Sequence, residues 1–244
     1  MVSKNAGTGI RYYLLITMIA LMIFLSGCWQ TGELIEETSI VGLEDAEVVD
    51  VKITIYKGNL HISGERISEL LVANLSYNLS QWAPVMNYQV ENGSGDLQIN
   101  QKENEEQKGL FNPIINNWSL LFNNSVPVSF NILIGNGENE LDLRNVYLKK
   151  LTAVLGTGNN NIDLRGDYSD NINISLIGGV GQTTLMIPKE VGVRLLIDGG
   201  VNHISSDGFN QIGNYYYNSI FDFSERKIFI SIFSVLGRIE IDLI

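Results

Sequence analysis

Asp142 and Asp163 hold the same position in two consecutive sequence repeats, and Arg144 and Arg165 each follow two residues later. A strand sends residues i and i+2 to one face. All four therefore point away from the side taken by Leu141, Leu143, Ile162 and Leu164. Asp stacked on Asp repels, and either a Ca²⁺ or the flanking arginines must compensate. The arginines are already in place, so a solvated salt-bridge ladder is expected and no metal site. Two histidines, His61 and His203, are too few for a zinc centre and give a Ser-His-Asp site little to build on. His61 lies between Leu60 and Ile62 and is expected to face solvent from a strand; His203 sits beside a turn at Asn202. The chain has 27 acids, which always offer some pair for glycoside cleavage, but none is marked by its surroundings. No catalytic residue is assigned. Tyr215, Tyr216 and Tyr217, with Phe221 and Phe223, could form a stacking surface for sugar or protein. Alternation favours a structural use, with Tyr216 buried.

Residues 178–184 read GGVGQTT, similar to the GGVGKTT phosphate loop of partition-type ATPases. Gln182 stands where the phosphate-reaching lysine belongs. Such a loop must open a helix whose N-terminus faces the anion. Here Leu185-Met186-Ile187 is strand-like and Pro188 follows at once, so nucleotide binding is not expected, nor any other cofactor. The glycine-rich units also resemble the nonapeptide of calcium β-rolls, but their spacing is more than twice as long and the key Asp is missing.

Residues 1–27 contain Lys4, Arg11 and no acid, and Tyr12 to Leu25 is an uncharged run of 14 residues. As a helix that run would rise about 21 Å, short of the roughly 30 Å hydrocarbon core, so it reads as a secretory signal peptide. Leu25-Ser26-Gly27-Cys28 follows and resembles the lipobox of bacterial lipoproteins. That resemblance implies diacylglyceryl transfer to the Cys28 thiol and cleavage just before it. Cys28 is also the single cysteine of the chain, which excludes an intramolecular disulfide. Cleavage would leave 14 basic residues against 27 acids, taking the net charge from −11 to −13. A chain so acidic has nothing to neutralise phosphates, which argues against nucleic acid as a partner.

The elements that position these residues are strands. The hydrophobic share of 45% is enough for a core, and the charged share is only 18%. Val49-Val51-Ile53-Ile55 alternates with polar partners, Gly58-Asn59 turns, and Leu60-His61-Ile62 returns. Leu70–Leu79, Met86–Val90 and Leu97–Ile99 are further strand candidates, and no segment after residue 27 shows convincing helical periodicity. From residue 126 the chain repeats. Apolar runs precede Gly135-Asn136-Gly137, Gly156-Thr157-Gly158, Gly179-Val180-Gly181 and Gly200-Val201-Asn202, and another apolar run follows each. A last copy is Val235-Leu236-Gly237, followed by Ile241-Asp242-Leu243. One such unit cannot bury its own apolar face, whereas stacked units can. Gly137, Gly158, Gly181 and Gly237, with Asn202 in the fourth copy, are assigned as structural turns. Three glycines and an asparagine at one position predict left-handed backbone there. Val should then be strained at 158, Asn tolerated, and Gly237, near the end of the chain, least sensitive. The six Asn-x-Ser sequons and Asn159-Asn160-Asn161 read as an Asn-rich composition, with Asn favoured at turns and able to stack in ladders.

The fold class is therefore all-β: stacked strand–Gly-turn–strand repeats, β-solenoid-like, with a β-sandwich as the alternative. The expected organisation is a signal peptide (1–27), an acidic tether (28–46), an N-terminal β region (47–125) and the repeat stack (126–244). The order of Trp118-Ser119-Leu120, Val126-Pro127-Val128, the Gly-x-Gly units, Ile187-Pro188-Lys189-Glu190-Val191-Gly192-Val193 and Tyr215 to Asn218 resembles bacterial envelope proteins with a LiaF-like, toast-rack domain. Gly58-Asn59-Leu60 and Gly95-Asp96-Leu97 extend the resemblance towards the N-terminus. It implies an all-β body at the cell envelope, linked to adhesion or envelope-stress signalling, and no catalytic residues. The expectation is a lipid-anchored, non-enzymatic extracytoplasmic module on a bacterial membrane that binds or scaffolds an envelope protein or glycan. The alternative is an exported carbohydrate-active enzyme or glycan-binding protein. A groove with paired carboxylates beside exposed tyrosine would favour the enzyme, and a flat Asn/Thr-rich face the scaffold.

Overall fold

Val49, Val51, Ile53 and Ile55 are each no more than 1% exposed, while Asp50 and Lys52 between them face outward. This two-residue alternation builds nearly everything in the computed structural model, which describes residues 33–102, 115–199, 202–205 and 207–244. Leu25, Ser26, Gly27 and Cys28 lie outside the described residues. Among the described residues no helix is long and apolar enough to cross a membrane.

The strands in chain order are β1 (Ile35–Val41), β2 (Val48–Lys57), β3 (Asn59–Glu65), β4 (Leu71–Tyr77), β5 (Pro84–Glu91), β6 (Ser94–Gln101), β7 (Asn116–Asn123) and β8 (Val128–Asn136). After them come β9 (Asn139–Asp142), β10 (Leu148–Asp163), β11 (Ile172–Ile187), β12 (Gly192–Gly199), β13 (Asn202–Ser205), β14 (Phe209–Ile212), β15 (Tyr215–Asn218) and β16 (Lys227–Leu243). Among the described residues a single 3₁₀ turn, Ser80–Trp82, interrupts them. They form one large, mixed, open sheet.

The organising unit is a rung: a strand, a glycine corner and a second strand. β10, β11 and β16 each run through the corner unbroken, whereas β2/β3, β8/β9 and β12/β13 are the same rung split at the corner. Parallel pairing stacks the rungs in the order β6/β7, β2/β3, β8/β9, β10, β11, β16, β12/β13. Antiparallel strands close the ends. β5 lies on β6, β4 and then β1 lie on β7, and β15 and then β14 lie on β12. Such terminal strands do for this stack what capping repeats do for a solenoid. The corner divides each rung into two faces whose inner side chains meet in one core. Phe122 of β7 and Phe130 of β8 come from opposite faces and meet edge-on, with ring centroids 5.0 Å apart.

The N-terminal strands therefore belong to the same stack as the repeats, and the ladder crosses residue 126 without a break. Residues 35–41, read from their charge as tether, form strand β1. Its acids, Glu36 and Glu37, are consecutive and point to opposite sides, but β1 is the outermost strand and both stay exposed, so charge does not prevent pairing.

The corner glycines correct the expectation of a common left-handed turn. Gly158 and Gly181 both have φ +136°, but φ is not positive at Gly137 or Gly237. What the position shares is close approach between rungs. A Cβ on Gly137 would stand 1.7 Å from the Gly58 carbonyl oxygen, one on Gly158 1.9 Å from that of Gly137, and one on Gly181 2.0 Å from that of Gly158. A second column runs alongside, with Gly156 against Gly135 and Gly179 against Gly156. Asn is then no better tolerated than Val at 158, because the clash begins at Cβ. Gly237 is not at the margin either, since β16 lies between β11 and β12/β13.

The Asp/Arg ladder forms between the expected residues, but it is not wholly solvated: Asp163 is only 6% exposed, covered by its arginines. Asp142 and Asp163 lie opposite one another in register. Arg144 donates to Asp142 through Nε (2.8 Å) and Nη2 (2.6 Å), and Arg165 does the same to Asp163 (2.9 and 2.7 Å). Arg144 Nε also lies 3.3 Å from Asp163 Oδ2, tying the rungs together. The hydrogen bonds from Arg144 hold the Asp142 carboxyl below its usual range. Burial pushes the Asp163 carboxyl up, but the hydrogen bonds and charge of Arg165 outweigh it and hold this group low as well. A carboxyl depressed in the folded state contributes stability that is present above its unfolded pKa and is lost as pH falls through the folded value. The urea midpoint should therefore fall below about pH 4. Asp163→Asn should flatten that acid limb and cost about 1–2 kcal/mol at neutral pH. An unchanged limb in the variant would show that the ladder does not carry the acid sensitivity.

Candidate functional site

After each corner glycine the sequence places two polar residues astride an inward one: Asn59 and His61, Glu138 and Glu140, Asn159 and Asn161, Gln182 and Thr184. The stacking turns these pairs into two outward rows that cross the strands. One row is Thr38, Asn74, Ser119, His61, Glu140, Asn161 and Thr184, each in register with the next. The other runs Glu36, Ser76, Asn117, Asn59, Glu138, Asn159 and Gln182. Together they line a concave trough of about 1090 Å³ on the second face, reaching from β1 to β11.

The rows are held by their own hydrogen bonds. Thr38 Oγ1 donates to Asn74 Oδ1 (2.8 Å), Asn59 Nδ2 to Asn117 Oδ1 (2.9 Å) and Asn159 Nδ2 to Glu138 Oε1 (3.2 Å). The Glu138 backbone N–H donates to Asn59 Oδ1 at 2.9 Å. His61 Nδ1 lies 3.3 Å from Glu140 Oε2, and Gln182 Nε2 donates to Glu240 Oε2 at 3.1 Å. Beneath the floor, buried Asn139 donates to buried Asn160 at 2.8 Å, and Asn139 Oδ1 accepts from the Leu60 N–H. The expected asparagine ladder is therefore present in two layers, one exposed and one buried.

Register also lines up Ser119, His61 and Glu140 on three adjacent strands. Acyl transfer needs backbone donors aimed at the developing oxyanion. β7 is paired on one side with β3 and on the other with β4, so the N–H groups around Ser119 are spent in the ladder. Glu138 and Glu140 are adjacent outward carboxylates, but the exposed tyrosine that would have stacked a sugar beside them is elsewhere. Tyr215 is on the first face, where Arg194 lies over its ring (5.1 Å to the centroid) and over that of Phe229 (4.7 Å). Tyr217 packs edge-on against Phe221 at 4.9 Å, and Tyr216 is half-buried against the core. This cluster fastens β15 to β12 and β16. Phe223 is well exposed.

Of the other residues singled out from sequence, Gly178–Thr184 is extended in β11 and opens no helix. His203 lies on β13 opposite Arg238. Among the described residues, no group of three or more His, Cys, Asp and Glu is placed to hold a metal ion. The trough was missed because its lining comes from segments far apart in sequence. The signal that could have found it is the polar pair after each glycine.

The family model for the N-terminal domain of toast_rack, DUF2154, matches residues 30–186. Among solved structures, one described as a putative cell adhesion protein from Clostridium sporogenes superposes with a TM-score of 0.82 at 30% identity, covering 86% of this chain and 99% of that one. A putative adhesin from Bacteroides fragilis and a putative lipid binding protein from Parabacteroides distasonis each share 13% identity over 86% of this chain and 97% of their own, with TM-scores of 0.33 and 0.31. A comparison with the curated proteins gives no match.

Proposed function

This chain belongs to the toast-rack family, and we propose that it is a non-enzymatic adhesion module held on the outer side of a bacterial membrane by a lipid on Cys28. The observation that carries the reading is the trough. Its lining side chains are fixed by mutual hydrogen bonds, and the backbone beneath is spent in ladders, an arrangement that can hold a partner and is poorly suited to activating one. The Clostridium sporogenes structure described as a cell adhesion protein supports this reading. Two or three acyl chains anchor a protein firmly where one would not. The cleaved body, with 14 basic residues against 27 acids and a net charge of −13, is repelled by anionic headgroups and stands off the surface, which leaves the trough open to a partner. A part in envelope-stress signalling would run through the same surface and rests on family membership alone.

Labelled palmitate tests the anchor. Cells making the natural chain should incorporate label into it and carry it in the membrane fraction. Cys28→Ala should abolish the label and leave an unprocessed precursor; normal labelling in that variant refutes the lipid anchor. Cells carrying the anchored protein should adhere to envelope-coated surfaces better than cells lacking it, and equal adherence refutes the adhesion role.

A further inference from the structure

We propose that the trough binds a linear amino-sugar polymer with free amino groups, laid across the strands along the two polar rows. The proposal rests on reading the trough as a binding surface and names the chemistry of what it takes. The rows present one polar side chain per strand, at the inter-strand spacing of about 4.8 Å. A ligand that meets successive strands alike must be a polymer with a short repeat running across them. An extended peptide gains most of its affinity from the hydrogen bonds of an open sheet edge, and the middle of this trough is no edge.

Side-chain amides carry both donors and acceptors. The Asn59–Asn117 and Asn159–Glu138 bonds fix the orientation of these amides and leave further donors and acceptors for sugar hydroxyls, which also do both. That pre-ordering lowers the entropic cost of binding. Charge then selects among sugars. Glu36 and Glu37 stand at the β1 end of the trough, Glu138 and Glu140 at its centre, and His61 is the one basic side chain in the lining. An anionic polymer is repelled. A neutral glycan covers four carboxylates without bringing a countercharge, where the lining itself offers only the His61 contact to Glu140 and the Asn159 amide to Glu138, which is costly. Ammonium groups along a hydroxyl-rich chain answer both the amides and the carboxylates. With the tyrosines on the other face, affinity has to come from hydrogen bonds and charge, and it should weaken as salt rises.

Calorimetry on the full chain tests this with three probes: a β-1,4-linked glucosamine hexamer, its fully N-acetylated counterpart and a lysine hexapeptide. The glucosamine hexamer should bind, and the acetylated form should bind about tenfold more weakly. Glu138→Gln with Glu140→Gln, and separately Asn59→Ala with Asn117→Ala, should each weaken the glucosamine hexamer by about tenfold, with unchanged thermal unfolding as the folding control. No binding of the glucosamine hexamer overturns the proposal, as does equal binding of the acetylated form. Lysine peptide binding as tightly, without sensitivity to the Asn pair, overturns it too and reduces the trough to an acidic patch. The palmitate and adherence measurements do not depend on these probes, so the ligand can fail while the adhesion reading stands.

Discussion

Gly158→Ala should unfold the protein almost as thoroughly as Gly158→Val. The Cβ that alanine adds would stand 1.9 Å from the Gly137 carbonyl oxygen and 2.9 Å from its carbonyl carbon. Both atoms are backbone of the next rung and cannot rotate away. Relief requires β10 to move off β8/β9, yet β10 is hydrogen-bonded to β8 and β9 on one side and to β11 on the other. The backbone at φ +136° adds strain of about 1–3 kcal/mol for any residue with a Cβ. A total loss of about 4 kcal/mol or more is expected, within the small class of severe point mutations and comparable with the whole net stability of many domains. Gly158→Asn should fare no better. At Gly237 the corresponding contact is looser, 2.6 Å from the Gly181 oxygen, so Gly237→Ala should cost clearly less while still destabilising. Urea unfolding of the four variants decides it. A natural midpoint for Gly158→Asn would mean that the rungs do not meet at this corner.

Asn116→Leu, a change of nearly constant volume, should cost about 2–4 kcal/mol. Asn116 is 2% exposed and ends the glycine column, its side chain filling the space that a Cβ on Gly58 would need. Its Nδ2 donates to the Lys57 carbonyl (2.7 Å) and its Oδ1 accepts from the Trp118 indole N–H (2.9 Å). Trp118 is only 1% exposed and among the largest core side chains. Leucine leaves that indole donor buried without a partner, and the asymmetry between a lost bond and an orphaned group makes the effect large. Trp118→Phe in the Asn116→Leu background removes the orphan and should recover part of the loss. If the two changes are simply additive, the indole bond is not the cause.

Stacked strand–glycine–strand units were readable because each repeat carries its own evidence: alternating Leu and Ile on one side of the corner, glycines at the corner, and Asp and Arg at matching offsets. What could not be read was pairing order. Gly237 looks terminal by position, yet Val180, Gly181 and Gln182 pair with Leu236, Gly237 and Arg238, and nothing local in residues 227–243 announces an interior rung. β1 was hidden for a different reason. Its acids face solvent at a rim, where charge is tolerated on an edge strand. The trough was legible only in pieces. His61 reads as an outward residue and so it is, but its neighbours Ser119 and Glu140 are brought to it by register, which no single segment encodes. The glycines were located correctly, but positive φ holds only at Gly158 and Gly181 and is not what the position shares. Left-handed geometry is a property of one chain, whereas the contact that excludes a side chain here is made with the next rung.

The place of β16 bears on the timing of synthesis. β11 and β12 are made well before residues 227–243, and each keeps one long edge for β16. Until that stretch has reached the compartment where the body folds, both edges present unpaired N–H and C=O groups, and the chain carries an open template for joining to another copy. Pairing of this range in sequence also places the protein among slow folders, because loop closure must be completed before the contacts repay it. Insertion of β16 closes the gap from both sides at once, so β11 and β12 lose their open edges in a single event.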